Sequence, residues 1–120
     1  MRVAVTSQGP DLGSEVDKRF GRANFLIVVE TATGQFTTHD NAQHLGAALG
    51  AGIQVAKHVV DLDVNAVITG HVGPKALTTL RANAVKAYIA GAGSVNDAVE
   101  ELKADHLECL SEPNVDIDWV

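Results

Sequence analysis

The stretch Phe25-Leu-Ile-Val-Val29 constrains the fold more than any other part of this chain. It is a continuous apolar run of strand length, and such runs are typical of strands that are covered on both faces of a sheet. Thr33-Gly34 follows as a turn, and Gln35–His39 alternates like the second strand of a hairpin. The stretch therefore predicts a hairpin within a sheet that carries helices on both faces.

Strand-like and helix-like segments alternate along the rest of the chain. The predicted strands outside the hairpin are Arg2–Thr6, Asn65–Thr69 and Val85–Ile89. Helical patterns run from about Ala48 to Val60, with Leu49, Ile53, Ala56 and Val60 on one face, over Pro74–Asn83, and onward from an N-cap in Ser94-Val-Asn-Asp97. The order β-ββ-α-β-α-β-α predicts a mixed sheet with helices on both faces.

The net charge of −6 is unevenly distributed. Residues 1–99 carry eight acidic and eight basic side chains, whereas residues 100–120 carry seven acidic ones and Lys103 alone. We expect an α/β domain at residues 1–103 and an acidic C-terminal tail, extended or disordered, at residues 104–120. The neutral body has no basic stripe, so we expect no nucleic-acid binding. With no apolar stretch of transmembrane length and no recognisable signal peptide, we expect a cytoplasmic protein that does not bind membranes.

The turn after the fourth predicted strand has the composition of an anion-binding site. Gly70 and Gly73 flank His71, and Pro74 fits the first position of a helix, where free N–H groups receive anions. Lys75 follows at the positive end of the helix dipole, where an acidic residue is favoured. The spacing does not match a Walker A loop. The alternative is a tight strand-to-helix turn with a solvated lysine.

A second candidate segment is Lys18-Arg-Phe-Gly-Arg22, in which three cations surround Phe20-Gly21 before a buried strand. Arg19 and Arg22 offer guanidinium groups that suit oxyanions. From charge alone, the favoured interpretation is a solvated loop that balances Glu15 and Asp17.

Three histidines lie near predicted strand ends, namely His39, His44 and His71. They would meet if those strand ends are adjacent, although without a nearby carboxylate or thiolate they form a weak metal motif. His58 and His106 are more typical of structural or solvated positions. No serine sits in a nucleophile elbow, and Cys109 lies among acids that disfavour a reactive thiolate.

Five segments together resemble one family. They are Val3-Ala-Val-Thr6, Arg19-Phe-Gly-Arg-Ala-Asn-Phe25, Asn41, the glycine-rich start of the first helix, and Ile68-Thr-Gly-His-Val-Gly-Pro-Lys-Ala76. Over residues 1 to about 102 the chain resembles the dinitrogenase iron–molybdenum cofactor-binding family, and within it the orange-protein branch of sulfate-reducing bacteria. Arg19 stands where many members have His, and Ala23 where some have Cys.

The resemblance implies both a fold and a ligand. The fold is a three-layer α/β/α sandwich, similar to ribonuclease H, on a mixed five-stranded sheet. The carboxylates of that nuclease are not present on Arg2–Thr6 or Asn65–Thr69. The ligand is a molybdenum–copper sulfide cluster held without covalent bonds, or alternatively another molybdenum or iron–molybdenum sulfur cluster.

The first hypothesis is therefore a non-catalytic carrier of an anionic metal–sulfur cluster. Its cationic pocket would contain charge and hydrogen-bond donors with no assigned direct metal ligand: Arg19, Arg22, His39, Asn41, His44, Gly70, His71, Gly73 and Lys75. The small residues of Gly46–Gly52 would leave room for a bulky ligand. The second hypothesis is an enzyme acting on a phosphate-bearing metabolite at the same site. The third is a metal-free interaction module whose acidic tail and Trp119 dock on a partner protein, so that tail deletion would abolish partner binding and leave cluster binding intact.

Overall fold

The computed structural model describes residues 1–41 and 51–116, which form one six-stranded sheet and three α-helices. The strands are β1 (Arg2–Ser7), β2 (Phe25–Glu30), β3 (Phe36–Asp40), β4 (Ala66–Thr69), β5 (Lys86–Ile89) and β6 (Glu108–Cys109). The helices are α1 (Ala51–Asp61), α2 (Pro74–Ala82) and α3 (Val95–Lys103), and Phe20–Arg22 forms a short 3₁₀ helix.

The sheet is mixed, as predicted, and its strand order is β3-β2-β1-β4-β5-β6. Strands β1, β4 and β5 are parallel neighbours, whereas β2 pairs antiparallel with both β1 and β3. Val5 in the central strand lies opposite Ile27 on one side and Ile68 on the other. This α/β arrangement confirms the predicted fold class and is compatible with ribonuclease H-like layering.

Apolar side chains on the two faces of the sheet form two separate cores. Two helices cover one face, where Leu26 and Val28 of β2 pack in a cluster with Val55 of α1 and Leu77 of α2. On the other face Ile27 and Val29 of β2 pack in a cluster with Val95, Ala98 and Val99 of α3. The apolar run that predicted a strand covered on both faces is confirmed, because Leu26, Ile27, Val28 and Val29 are all buried.

The helices follow the predicted pattern with small differences. Within the described residues, α1 begins at Ala51, and the predicted start near Ala48 lies outside them. Of the predicted inward stripe, Ala56 is fully buried, Ile53 and Val60 are half-buried, and Leu49 lies outside the described residues. Val55 and Val59 are fully buried as well, so the inward face extends toward these two residues. The predicted N-cap of α3 is confirmed as a capping box, with Asp97 N donating to Ser94 Oγ at 3.0 Å.

The sheet has one strand more than predicted, and this strand lies in the segment expected to be a tail. Cys109 pairs with Tyr88, and Leu110 N donates to Ala87 O at 2.8 Å. Leu107 and Leu110 pack against the two cores from opposite faces of the sheet. Both β6 residues are exposed, so the strand has no apolar alternation that sequence reasoning detects.

After β6 the chain continues as a segment that we name the C-terminal strap, residues 111–116. Arg81 Nη1 donates to Ser111 O at 2.7 Å, and Asn114 contacts the turn between β4 and α2. The last predicted feature of the tail, Trp119, lies outside the described residues. No helix formed by residues 1–41 and 51–116 is long and apolar enough to cross a membrane.

Candidate functional site

The candidate site lies at the edge of the sheet where the parallel strands β1, β4 and β5 end. Strand β3 ends at the same edge, because Asp40 and Ser7 both lie opposite Phe25. Strands β1, β3 and β4 therefore end on one side of the molecule. Ligands of open α/β sheets bind at this side.

A buried polar network fixes the loop after β1. The Thr6 hydroxyl donates to Asp17 O at 2.6 Å, and the Thr69 hydroxyl lies 2.8 Å from Thr6 Oγ1. Asp17 N donates in turn to Thr6 O at 2.8 Å. Asp17 is 2% exposed, and its Oδ1 accepts from the N and Nε of Arg19 at 2.9 and 3.4 Å. The network fixes the backbone of Arg19 and provides one hydrogen-bond acceptor, Asp17 Oδ1, for its guanidinium group.

The two candidate segments meet directly. Arg19 and His71 form a parallel backbone bridge, in which His71 N donates to Lys18 O at 2.6 Å and Phe20 N donates to His71 O at 3.3 Å. The contact is tight: a Cβ added at Gly70 would lie 2.6 Å from Lys18 Cβ and 2.7 Å from its Cα and O. Glycine is therefore required at position 70, because no side chain fits between the two segments.

The N-terminal end of α2 is unusual for a helix. Gly73 is the N-cap without a side-chain acceptor, Pro74 occupies the first turn, and no acidic residue follows. Lys75 is exposed and forms no ion pair within residues 1–41 and 51–116. The N–H groups of Gly73 and Lys75 find no acceptor in that same part of the chain. These free donors and the adjacent charge are the parts of an anion-binding helix start.

The His71 side chain lies beside this helix start. It is exposed, and its imidazole forms no hydrogen bond within the described chain. A cleft of about 370 Å³ opens next to it, with Lys18 and Arg19 on its wall together with Glu15 and Asp17. With a neutral histidine, these formal charges cancel. The expected cationic pocket is therefore not this cleft alone, and Lys75, which does not line it, supplies the unbalanced positive charge nearby.

His39 and His71 do not meet. The prediction required adjacent strand ends, but β2 and β1 lie between β3 and β4, which separates those two strands by about 14 Å. His39 is on β3, and its Nε2 lies 2.9 Å from Thr37 Oγ1. His44 and most of the Gly46–Gly52 segment lie outside the described residues. No group of three or more His, Cys, Asp or Glu side chains in residues 1–41 and 51–116 is placed to hold a metal ion.

Asn41 is fully buried and holds other elements together. Its Nδ2 donates to Ala23 O at 2.9 Å, and its backbone N donates to Asn24 O at 2.9 Å. Its Oδ1 lies 3.0 Å from His58 Nδ1, which links the end of β3 to α1. Arg22, at the end of the 3₁₀ helix that packs against α1, is half-buried. Asn41 thus links the segment just after Arg22 to α1.

A family model described as dinitrogenase iron-molybdenum cofactor matches residues 1–105. The chain belongs to this family. The resemblance inferred from the Phe20-Gly21-Arg22 loop and the turn ending at Lys75 is therefore confirmed. Among curated proteins, none matches the chain.

Solved structures support membership of the dinitrogenase cofactor family. The apo form of the orange protein from Desulfovibrio gigas is 35% identical, with a TM-score of 0.90, and the match covers 95% of this chain and 96% of that one. A putative NifB protein from Thermotoga is 34% identical, with a TM-score of 0.82 and coverage of 95% and 97%. A putative dinitrogenase from Methanocaldococcus jannaschii, at 17% identity, TM-score 0.67 and coverage of 94% and 97%, shares the fold.

Sequence reasoning missed Asn114, which lies beyond the part of the chain that the family model matches. Its Oδ1 accepts from Val72 N at 2.8 Å, its Nδ2 donates to Gly70 O at 2.7 Å, and its backbone N donates to Val72 O at 3.3 Å. An asparagine in an acidic segment carries no sequence signal for such a contact. From the sequence, Asp17 was interpreted only as a charge that the cationic loop balances. Its burial next to Arg19 has no sequence signal either.

Proposed function

We propose that this protein is a non-catalytic carrier that holds an anionic metal–sulfur cluster without covalent bonds at the carboxyl edge of its sheet. The observation that carries the proposal is the direct pairing of the Arg19 segment with the His71 turn, next to the start of α2, where the N-cap Gly73 has no side-chain acceptor. Membership of the dinitrogenase iron-molybdenum cofactor family supports a ligand of this class.

The chemistry of the donors suits a preformed cluster. A metal–sulfur cluster whose metals already carry sulfide ligands needs a host that offers positive charge and N–H groups rather than further metal ligands. Arg19, His71 and Lys75 are exposed at this edge, and the free N–H of Gly73 adds a backbone donor. Arg22, His39 and His44 complete the donor set that the family resemblance implies, and Asn41 contributes through the loop it supports.

For the ligand itself we propose a molybdenum–copper sulfide cluster. The support is the 35% identity to the orange protein over nearly the whole of both chains, together with the ligand that resemblance to that branch implies. A different molybdenum or iron–molybdenum sulfur cluster is the alternative within the same family. Both are bulky anions that the same donors accept, so metal analysis distinguishes them.

The test is anaerobic purification followed by a visible spectrum and metal analysis, and then reconstitution of the apoprotein with tetrathiomolybdate and copper. We expect stoichiometric molybdenum and a charge-transfer band that stays with the protein through gel filtration. The control variant Gly91→Ala is expected to retain as much molybdenum as the wild type, because a Cβ there meets no atom within 4 Å. If neither preparation retains stoichiometric molybdenum, the carrier function is wrong.

Inorganic phosphate separates this function from the second hypothesis, an enzyme acting on a phosphate-bearing metabolite. A site built for a phosphate group is expected to bind phosphate in competition with tetrathiomolybdate at comparable concentrations. The carrier proposal expects tetrathiomolybdate to be retained in a large excess of phosphate.

A further inference from the structure

The C-terminal strap contacts the turn at residues 70–73. This turn belongs to one candidate segment and is hydrogen-bonded to the other, Lys18–Arg22. On one side of residues 70–73, two backbone hydrogen bonds join His71 to Lys18 and Phe20. On the other side, Asn114 makes three hydrogen bonds, two of them through its carboxamide. The turn is therefore held from both sides, and the strap supplies one of them.

We propose that Asn114 is a positioning residue for the ligand site, an inference that rests on the proposed function. The carboxamide accepts from Val72 N and donates to Gly70 O, so it fixes the orientation of the peptide groups on both sides of His71. The peptide groups of Gly73 and Lys75 follow directly along the chain. Their free N–H directions are consequently set in part by a residue that is far away along the chain, since Asn114 lies 42 positions from Val72 and 44 from Gly70.

The strap and Leu110, the residue before it, are anchored by more than this one contact. Leu110 N bonds Ala87 O, Arg81 Nη1 bonds Ser111 O, and the side chain of Leu110 packs on the core beneath α1 and α2. Asn114 therefore reaches the turn from a segment that is itself fixed to β5 and α2. Because its own segment is held in place, Asn114 restricts the movement of the turn, whereas an asparagine on an unattached tail would move together with the turn.

This arrangement changes the expected result of removing the tail. From the sequence, deletion was expected to abolish partner binding and leave cluster binding intact. With Asn114 in place on the turn, a chain that ends after Leu110 loses the clamp and is expected to retain tetrathiomolybdate more weakly. Tail deletion therefore does not separate a carrier from an interaction module.

The direct experiment compares Asn114→Ala with Asn96→Ala, an exposed asparagine of α3 whose side chain forms no hydrogen bond in the described chain. Tetrathiomolybdate affinity is expected to fall on the order of tenfold in Asn114→Ala, as it does when groups that orient metal ligands are removed. Amide hydrogen exchange of Val72 in the ligand-free protein is expected to accelerate. Asn96→Ala is expected to change neither quantity.

Asn114→Asp tests the two carboxamide bonds separately. The carboxylate keeps an acceptor for Val72 N but has no N–H for Gly70 O, so Val72 is expected to stay protected. Affinity is expected to fall, both because the bond to Gly70 O is lost and because the new carboxylate repels an anionic ligand. Because coupling is reciprocal, tetrathiomolybdate is also expected to slow exchange at Val72 in the wild type and less so in Asn114→Ala.

The outcomes distinguish this inference from the proposed function. If the wild type retains tetrathiomolybdate and Asn114→Ala retains it equally well, the positioning role is wrong while the carrier function stands. If the wild type retains none, the carrier function is wrong and the positioning role falls with it. Val72 exchange that is unchanged in Asn114→Ala overturns the clamp itself, with or without ligand.

Discussion

Replacing Gly70 by alanine is expected to separate the two segments that form the candidate site. The new Cβ would lie 2.6 to 2.7 Å from three atoms of Lys18, two of which belong to its backbone. Ordinary contact begins at about 3.4 Å, so the Lys18 backbone must retreat by about 0.7 Å. That movement strains or breaks the bonds from His71 N to Lys18 O and from Phe20 N to His71 O.

The magnitude follows from these two bonds and the overlap. Each hydrogen bond contributes about 1 kcal/mol net to stability, and forcing an extra methyl group into a packed contact costs about 1–3 kcal/mol. Because retreat of the loop relieves the overlap as it breaks the bonds, the two penalties do not add fully, and we expect a loss of about 2–3 kcal/mol. With a urea m-value of about 2 kcal/mol per molar, the unfolding midpoint falls by about 1–1.5 M.

Urea unfolding of the apoprotein, followed by circular dichroism, measures this loss. The matched control is Gly91→Ala, a glycine just after β5 whose added Cβ meets nothing within 4 Å and whose φ lies outside the left-handed region. That variant is expected to keep its midpoint or to gain up to about 1 kcal/mol through reduced freedom of the unfolded chain. If Gly70→Ala behaves like Gly91→Ala, the close approach of Lys18 to the turn is refuted.

Three further predictions concern other parts of the molecule. Lys75→Ala is expected to weaken tetrathiomolybdate retention and to make it less sensitive to salt. The control Lys86→Ala, at the amino end of β5, is expected to change neither. Equal retention by both variants would mean that Lys75 is a solvated side chain without a role in binding. Ser94→Ala removes the capping box of α3 and is expected to cost about 1 kcal/mol in thermal unfolding, and an unchanged melting temperature would contradict the cap. Asn41→Ala removes two side-chain hydrogen bonds from a fully buried position and is expected to cost about 2–3 kcal/mol in urea, so an unaltered midpoint would argue against its structural role.

Much of the fold was predictable because the inner strands β1, β2 and β4 are buried on both faces. The run from Phe25 to Val29 predicted a two-sided strand, and burial of Leu26 and Ile27 on opposite cores confirms it. The capping box at Ser94 was predictable because a local pattern determines it. Strand β6 was not, since Glu108 and Cys109 are exposed and are held by pairing with β5.

The candidate site was predictable only where its geometry depends on neighbouring residues. The turn from Gly70 to Lys75 is local, and its sequence indicated a helix start without an acidic cap. The pairing of Arg19 with His71 is a contact between segments that are distant along the chain, and no local pattern predicts how far apart they lie. The separation of His39 from His71 depends on strand order, which the order of elements along the chain does not determine.

The two-residue strand β6 also has a consequence for how this protein behaves in solution. Without it, β5 would end the sheet with a row of unpaired N–H and C=O groups, which attract strands from other molecules. Glu108 and Cys109 occupy that row, and the acidic residues that surround them repel a second copy. We therefore expect residues 108–109 to hinder edge-to-edge pairing of β5 with a second molecule. A chain cut after Ala104 is expected to self-associate through β5.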